Sequence, residues 1–103
     1  MTEPITYAAA VVSRGATITG VVGEDIVVIP NMHPSYYTQV MDARAAIAEV
    51  GGQLAHLAVV CRESRRTMMV LPDACELLTP GMRVTLDPSR CEIRVEPLST
   101  DHA

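Results

Sequence analysis

Two short apolar stretches constrain the fold of this chain more than anything else: Ile26-Val27-Val28-Ile29, and the stretch from Ala45 to Val50. A strand wet on one face alternates polar and apolar residues. A short run without alternation reads instead as a strand covered on both faces. Pro30-Asn31-Met32-His33-Pro34 breaks the chain after the first run. Pro34 suits the first position of a helix, and Tyr37, Val40, Met41 and Arg44 follow at helical spacing. Gly51-Gly52 turns the chain after the second run. A helix beginning around Ala55 then sets Leu57, Val60, Cys61 and Ser64 on one face and Arg62, Glu63 and Arg66 on another.

The rest of the chain supplies further strands. Residues 1–6 read as a loose arm and Tyr7 to Ser13 as an extended run. Arg14-Gly15 turns it into a second strand near Thr17 to Val22, where Gly20 marks a bulge or a close backbone approach. Met68 to Leu71 is a short strand, and Asp73 to Leu78 a helical turn that Asp73 is placed to cap. Met82 to Leu86 and Cys91 to Val95 form a hairpin across Asp87-Pro88-Ser89-Arg90. Strands outnumber helices, and the helices lie mid-chain.

Hydrophobic residues make up 49%, yet there is no Trp or Phe, so the core must be built from Ile, Val, Leu, Met and Ala. Small side chains let layers approach closely. The length suits one domain over residues 1–103, with a core of about residues 8–96 and loose termini.

Composition also excludes function classes. A net charge of −4 argues against a nucleic-acid partner, which calls for a basic excess. The one basic cluster, Arg62, Arg65 and Arg66, reads as a solvated helix end. Cys61, Cys75 and Cys91 are odd in number and widely spaced, which fits buried reduced thiols rather than disulfides or a metal site. No apolar run approaches the ~18 residues of a membrane span, and the N-terminus lacks the pattern of a leader. A cytoplasmic protein is expected, with its oligomeric state left open.

The chemistry concentrates in Gly51-Gly52-Gln53-Leu54-Ala55-His56-Leu57-Ala58-Val59-Val60-Cys61-Arg62. The glycine pair gives the backbone freedom to present His56 at a surface. A side chain opening a helix sits over unpaired amides, here those of Leu57 and Ala58, where the dipole favours an anion. Imidazole is an effective nucleophile near physiological pH and a good leaving group, so it suits a relay in which a phosphoryl group is accepted and handed on. Arg62 lies roughly 9 Å further along the axis and points back toward the helix start, where it could reach a phosphoryl group or equally anchor an acidic patch on a partner. His33 reads as a helix-start residue and His102 as part of a solvated tail.

This stretch resembles the phosphohistidine signature of phosphoenolpyruvate-utilising enzymes, the family of pyruvate phosphate dikinase, phosphoenolpyruvate synthase and Enzyme I of the sugar phosphotransferase system. There a mobile domain carries Gly-Gly-x-Thr-Ser-His-x-Ala-Ile/Val-Val-x-Arg, and Gly51, Gly52, His56, Ala58, Val59, Val60 and Arg62 fall on that pattern. Gly15 to Val22 resembles the opening hairpin of that domain, Glu24 to Pro30 with Pro34 its strand and Pro-started helix, and Leu78 to Asp87 its closing hairpin. The resemblance implies an α+β, three-layer β/β/α swivelling phosphohistidine domain. In it His56 is catalytic, Gly51, Gly52, Leu57, Ala58 and Arg62 support the phosphoryl group, and no metal is held.

Leu54 and Ala55 depart from the pattern, standing where the family has Thr and Ser. The chain also lacks the ATP-grasp and phosphoenolpyruvate-binding domains of those enzymes and shows no Walker-type loop. The resemblance therefore implies at most the phosphotransfer component of a split system, not a complete enzyme. ATP-grasp and phosphoenolpyruvate-binding proteins would be partners, and Mg²⁺ with ATP or phosphoenolpyruvate would sit on them, with no cofactor held here. The alternative is a binding or regulatory module that kept the fold and lost transfer with the Thr and Ser. A small enzyme using His56 with Cys61 is disfavoured, because five residues separate the two by about 140° around a helix.

Overall fold

The computed structural model describes residues 4–96. Its strands are β1 (Ile5–Ala8), β2 (Ala10–Ser13), β3 (Ile18–Val21), β4 (Ile26–Ile29), β5 (Ala45–Ala48), β6 (Thr67–Val70), β7 (Arg83–Asp87) and β8 (Glu92–Val95). Its helices are α1 (Tyr37–Asp42), entered through a 3₁₀ turn at Pro34–Tyr36, α2 (His56–Glu63) and α3 (Ala74–Leu77). The strands form two four-stranded sheets, ordered β1-β8-β7-β3 and β2-β6-β5-β4. The fold is α+β, as the sequence indicates.

Strand β5 explains the layering. All four of its side chains are buried, and they alternate between two cores. Ala45 and Ile47 join a cluster with Val84, Leu86 and Ile93 of the antiparallel sheet. Ala46 and Ala48 join another with Val40 of α1 and Leu57, Ala58 and Cys61 of α2. The β4–β5–β6 sheet is thus the middle layer, with the antiparallel sheet on one side and α1 and α2 on the other. Strands β4, β5 and β6 run parallel, so each connection must cross over through a helix.

Several expectations are corrected. Residues 5 and 6 belong to β1, which pairs with β8, so only residues 1–3 of the expected arm, like the tail with His102, lie outside the described residues. The run from Tyr7 to Ser13 is divided: the chain leaves the antiparallel sheet at Ala9, and β2 pairs with β6 instead. Gly15 to Val22 therefore does not close a hairpin, because β3 pairs with β7. The physical reason is lateral competition, since β6 and β7 offer longer-range partners that a local turn does not reveal. Gly15 marks that crossing, where a Cβ would meet the Thr67 hydroxyl at 2.6 Å. Gly20 is the close approach expected, facing Asp25.

Asp73 does not cap α3. It takes a left-handed conformation (φ 64°) with no side-chain capping bond, and the Cys75 amide instead donates to the Glu49 carboxylate at 2.8 Å. Of the thiols, Cys61 is buried, but Cys75 and Cys91 are exposed. Strand β4 is an edge strand, with Val27 and Val28 only half-buried.

Ile47 has no exposed surface and sits at the centre of the inter-sheet core. Ile47→Ala is expected to cost about 2–5 kcal/mol, read as a lowered midpoint in urea unfolding with an unchanged slope.

Candidate functional site

Because β4, β5 and β6 are parallel, the connections leaving them emerge at one end of the middle sheet. In open sheets that end is where ligands are held. The connection from β5 to α2, residues 49–55, carries the glycine pair and delivers His56 as the first residue of α2.

Gly51 has φ 152°, and a Cβ on it would run into the Met32 Sδ. Met32 is itself buried in the core beneath α1 and α2. The glycine lets the loop settle on the residues that follow β4. Gly52 has open space around it and an ordinary φ, so its role is not steric.

Arg62 supplies the second restraint. Its guanidinium donates to the Gln53 carbonyl at 2.6 Å and to the Gln53 Oε1 at 3.4 Å. It also donates to the Val12 carbonyl at 3.3 Å, at the residue where the β2–β6 register shifts. Arg62 thus ties the loop before His56 to α2 and to a strand bulge. The structure places it as a brace under the loop, with these donors already used by carbonyls.

At the helix start, Ala55 has extended backbone and no side-chain capping bond. The Ala55 amide donates to the Gly52 carbonyl, and the first helical bond runs from Val59 to Ala55. The backbone N–H groups of His56, Leu57 and Ala58 have no protein partner among the described residues. His56 is exposed and its ring has no hydrogen bond among those residues, whereas the Leu57 and Ala58 side chains are buried and anchor the helix. Leu54 is 93% exposed and Val50 59% exposed, giving the loop an apolar tip beside the histidine.

The remaining candidates lie elsewhere or in other roles. His33 starts the 3₁₀ turn, its Nδ1 accepting from the Ser35 amide at 3.0 Å. Cys61 points into the core, and burial pushes its thiol up, with Arg66 pulling it partly back. It is therefore no partner for His56 in acid–base chemistry. Among the described residues, no three of His, Cys, Asp and Glu converge as a metal site, and no helix is long and apolar enough to cross a membrane. Two contributors escaped the sequence reading: Gln53, which receives Arg62, and Met32, which seats Gly51. Neither carries a local signal, because each acts on a residue distant in sequence.

The structure thus defines a small β/β/α domain that presents one exposed histidine at an uncapped helix start. Residues 23–91 match the family described as the mobile domain of phosphoenolpyruvate-utilising enzymes, and the chain belongs to that family. No curated protein matches it in sequence. Several solved structures are similar in fold, and two illustrate the likeness. One is a chain of Thermococcus kodakaraensis aconitase X in its holo form, at 13% identity and TM-score 0.66, covering 90% of this chain and 99% of that one. The other is a UPF0107 protein solved by NMR, at 13% identity and TM-score 0.68, covering 90% and 100%. These neighbours overturn the narrower expectation of a stand-alone phosphohistidine domain of the dikinase, synthase and Enzyme I kind. The fold is shared with proteins of other descriptions, so the architecture does not carry that identity.

Gly51→Ala is expected to destabilise the protein by about 1–3 kcal/mol through backbone strain, beyond any clash with Met32, while Gly52→Ala leaves the thermal midpoint nearly unchanged. Ala55→Ser restores a hydroxyl cap and should stabilise by about 0.5–2 kcal/mol, a rise of about 4–8 °C in Tm per kcal/mol in calorimetry.

Proposed function

We propose that this chain is a phosphoryl carrier in which His56 takes a phosphoryl group from one partner protein and gives it to another. The observation that carries this reading is the exposed His56 imidazole beside three backbone N–H groups without partners among the described residues, in a chain of the mobile-domain family.

A ring nitrogen lone pair attacks phosphorus in line. The N–P bond forms as the P–O bond to the donor breaks, its electron pair leaving on the donor oxygen. In the return step an acceptor oxygen attacks, and the N–P bond breaks with its pair returning to the ring. Such transfer depends on positioning and charge neutralisation more than on covalent assistance. The amides of His56, Leu57 and Ala58 and the helix dipole would face the phosphoryl oxygens. Arg62 and Gly51 would act one step back by fixing the loop. The ATP- and phosphoenolpyruvate-handling machinery, with its Mg²⁺, would belong to separate cytoplasmic partners.

A second reading has its own observation. Leu54 is almost fully exposed and Ala55 offers no hydroxyl to a bound anion, which favours a docking module that no longer transfers. One charge-assisted hydrogen bond is worth about 1.5–3 kcal/mol, so loss of the Thr and Ser of the family signature would slow transfer substantially.

The two readings separate by intact-protein mass spectrometry after incubation with phosphoenolpyruvate or ATP and a host lysate, with His56→Ala in parallel. The carrier reading expects one acid-labile phosphoryl adduct on the wild type and none on the variant. An unmodified wild type, in a lysate shown to phosphorylate another carrier, overturns it in favour of the docking module.

A further inference from the structure

We propose that the open edge of β4 is a docking slot for an extended, basic segment of a partner protein, which adds a strand to the middle sheet. The first observation is geometric. One cavity of about 490 Å³ is lined by Ile26, Val27 and Val28 together. Consecutive strand residues point to opposite faces of a sheet. A single cavity that touches all three must therefore run along the edge of the strand rather than over one face.

The slot has a roof and a floor. Gln39 and Asp42 of α1 close it on the helix side, and Cys75 and Leu78, in and just after α3, line its other part. β4 ends its sheet except for one bridge from Ile26 to Val22, so the space between these helices beside Val28 is where a further strand would lie.

The second observation concerns the backbone. The carbonyls of Asp25 and Ile29 accept from Arg44 and Glu49 on the β5 side. Alternate residues of a strand direct their N–H and C=O groups to opposite sides, so Ile26 and Val28 face outward. The Ile26 carbonyl is taken by the Gly23 amide. Ile26 is also bridged in parallel to Val22, so among the described residues the Val28 N–H and C=O are the outward groups left open to an incoming chain.

Proteins defend edge strands with charges, Pro, bulges or a covering element. Here Ile26-Val27-Val28-Ile29 contains no charge and no Pro, and pairs with β5 in unbroken register. At the other edge of the sheet, by contrast, the β2 bulge is covered by the Arg62 guanidinium.

Charge selects the occupant. The exposed carboxylates lining the slot are Glu24 and Asp42, and no basic side chain lines it. A second copy of this chain would bring the same two carboxylates to the same place, in a protein already at −4. A partner strand with alternating β-branched residues and Arg or Lys at its ends satisfies the backbone, the apolar walls and the rim. Neither His56 nor Arg62 lines the slot, so this proposal and phosphoryl transfer can fail separately.

The test uses two synthetic peptides, acetyl-Arg-Val-Thr-Val-Thr-Val-Arg-amide and its Glu-flanked counterpart, titrated into the isotope-labelled protein. The expected result is that the Arg-flanked peptide shifts the amide signals of Ile26 and Val28 and slows exchange at Val28. Reversing the rim (Glu24→Arg with Asp42→Arg) should weaken that peptide by about 2- to 30-fold and favour the Glu-flanked one. Val28→Pro, which removes the outward donor, should abolish both. The rim reversal keeps the test valid if that variant fails to fold. Shifts confined to residues 50–56, affinity indifferent to the reversal, or no binding of either peptide would overturn the proposal. So would a dimer in sedimentation that dissociates on Val28→Pro, which makes a second copy the occupant.

Discussion

The two-sided burial of β5 is the constraint from which the rest of the structure follows. Its side chains supply apolar surface to both cores, so the sheet containing it must be the middle layer, with its polar backbone satisfied within the plane. Ala45, Ala46 and Ala48 keep β5 thin enough for helices on one side and a second sheet on the other to close on it. Three small residues give little burial each, and the layers make up for it by close approach. Parallel pairing on both sides of β5 then fixes the positions of α1 and α2 over one face. It also gathers the loops after β4 and β5 at one end.

That end owes its geometry to contacts distant in sequence. Gly51 seats against Met32, Arg62 reaches Gln53 and the bulge in β2, and Glu49 holds the start of α3. Each of these joins the β5–α2 connection to a different neighbour, so the loop is held from several directions while the His56 ring stays exposed. A loop restrained in this way presents its side chain without a large ordering cost on encounter with a partner. The edge of β4 is the reverse case: beyond the single bridge from Ile26 to Val22, nothing charged or kinked interrupts it.

Legibility in the sequence followed the range of the interaction. Ile26 to Ile29, the Pro34 start, the helix opening at His56 and the hairpin of β7 and β8 are governed by local rules, and all were readable from periodicity and turn residues. The glycine pair, His56 and Arg62 could be singled out as a unit by the resemblance of their pattern to the phosphohistidine signature. The role of Arg62 was not readable in the same way, because its partners at Gln53 and Val12 depend on where β2 lies. Asp73 was misread for a related reason: an acidic residue before a helix is a good cap only in extended backbone, and here it is left-handed. Strand partners were the least legible element, since β2 and β3 adjoin in sequence but serve different sheets.

The order of apolar and polar residues therefore decided which segments are strands and helices, that the core is aliphatic, and which histidine opens a helix, because those properties rest on neighbours within a few residues. Only the tertiary structure decided that β2 joins β6, that β4 is an edge and not a covered strand, that Glu49 rather than Asp73 supports α3, and that Arg62 braces a loop. Each of these is a choice among partners far apart in the chain. The choice is made by which faces remain to be buried and which backbone groups remain to be paired once the layers have closed.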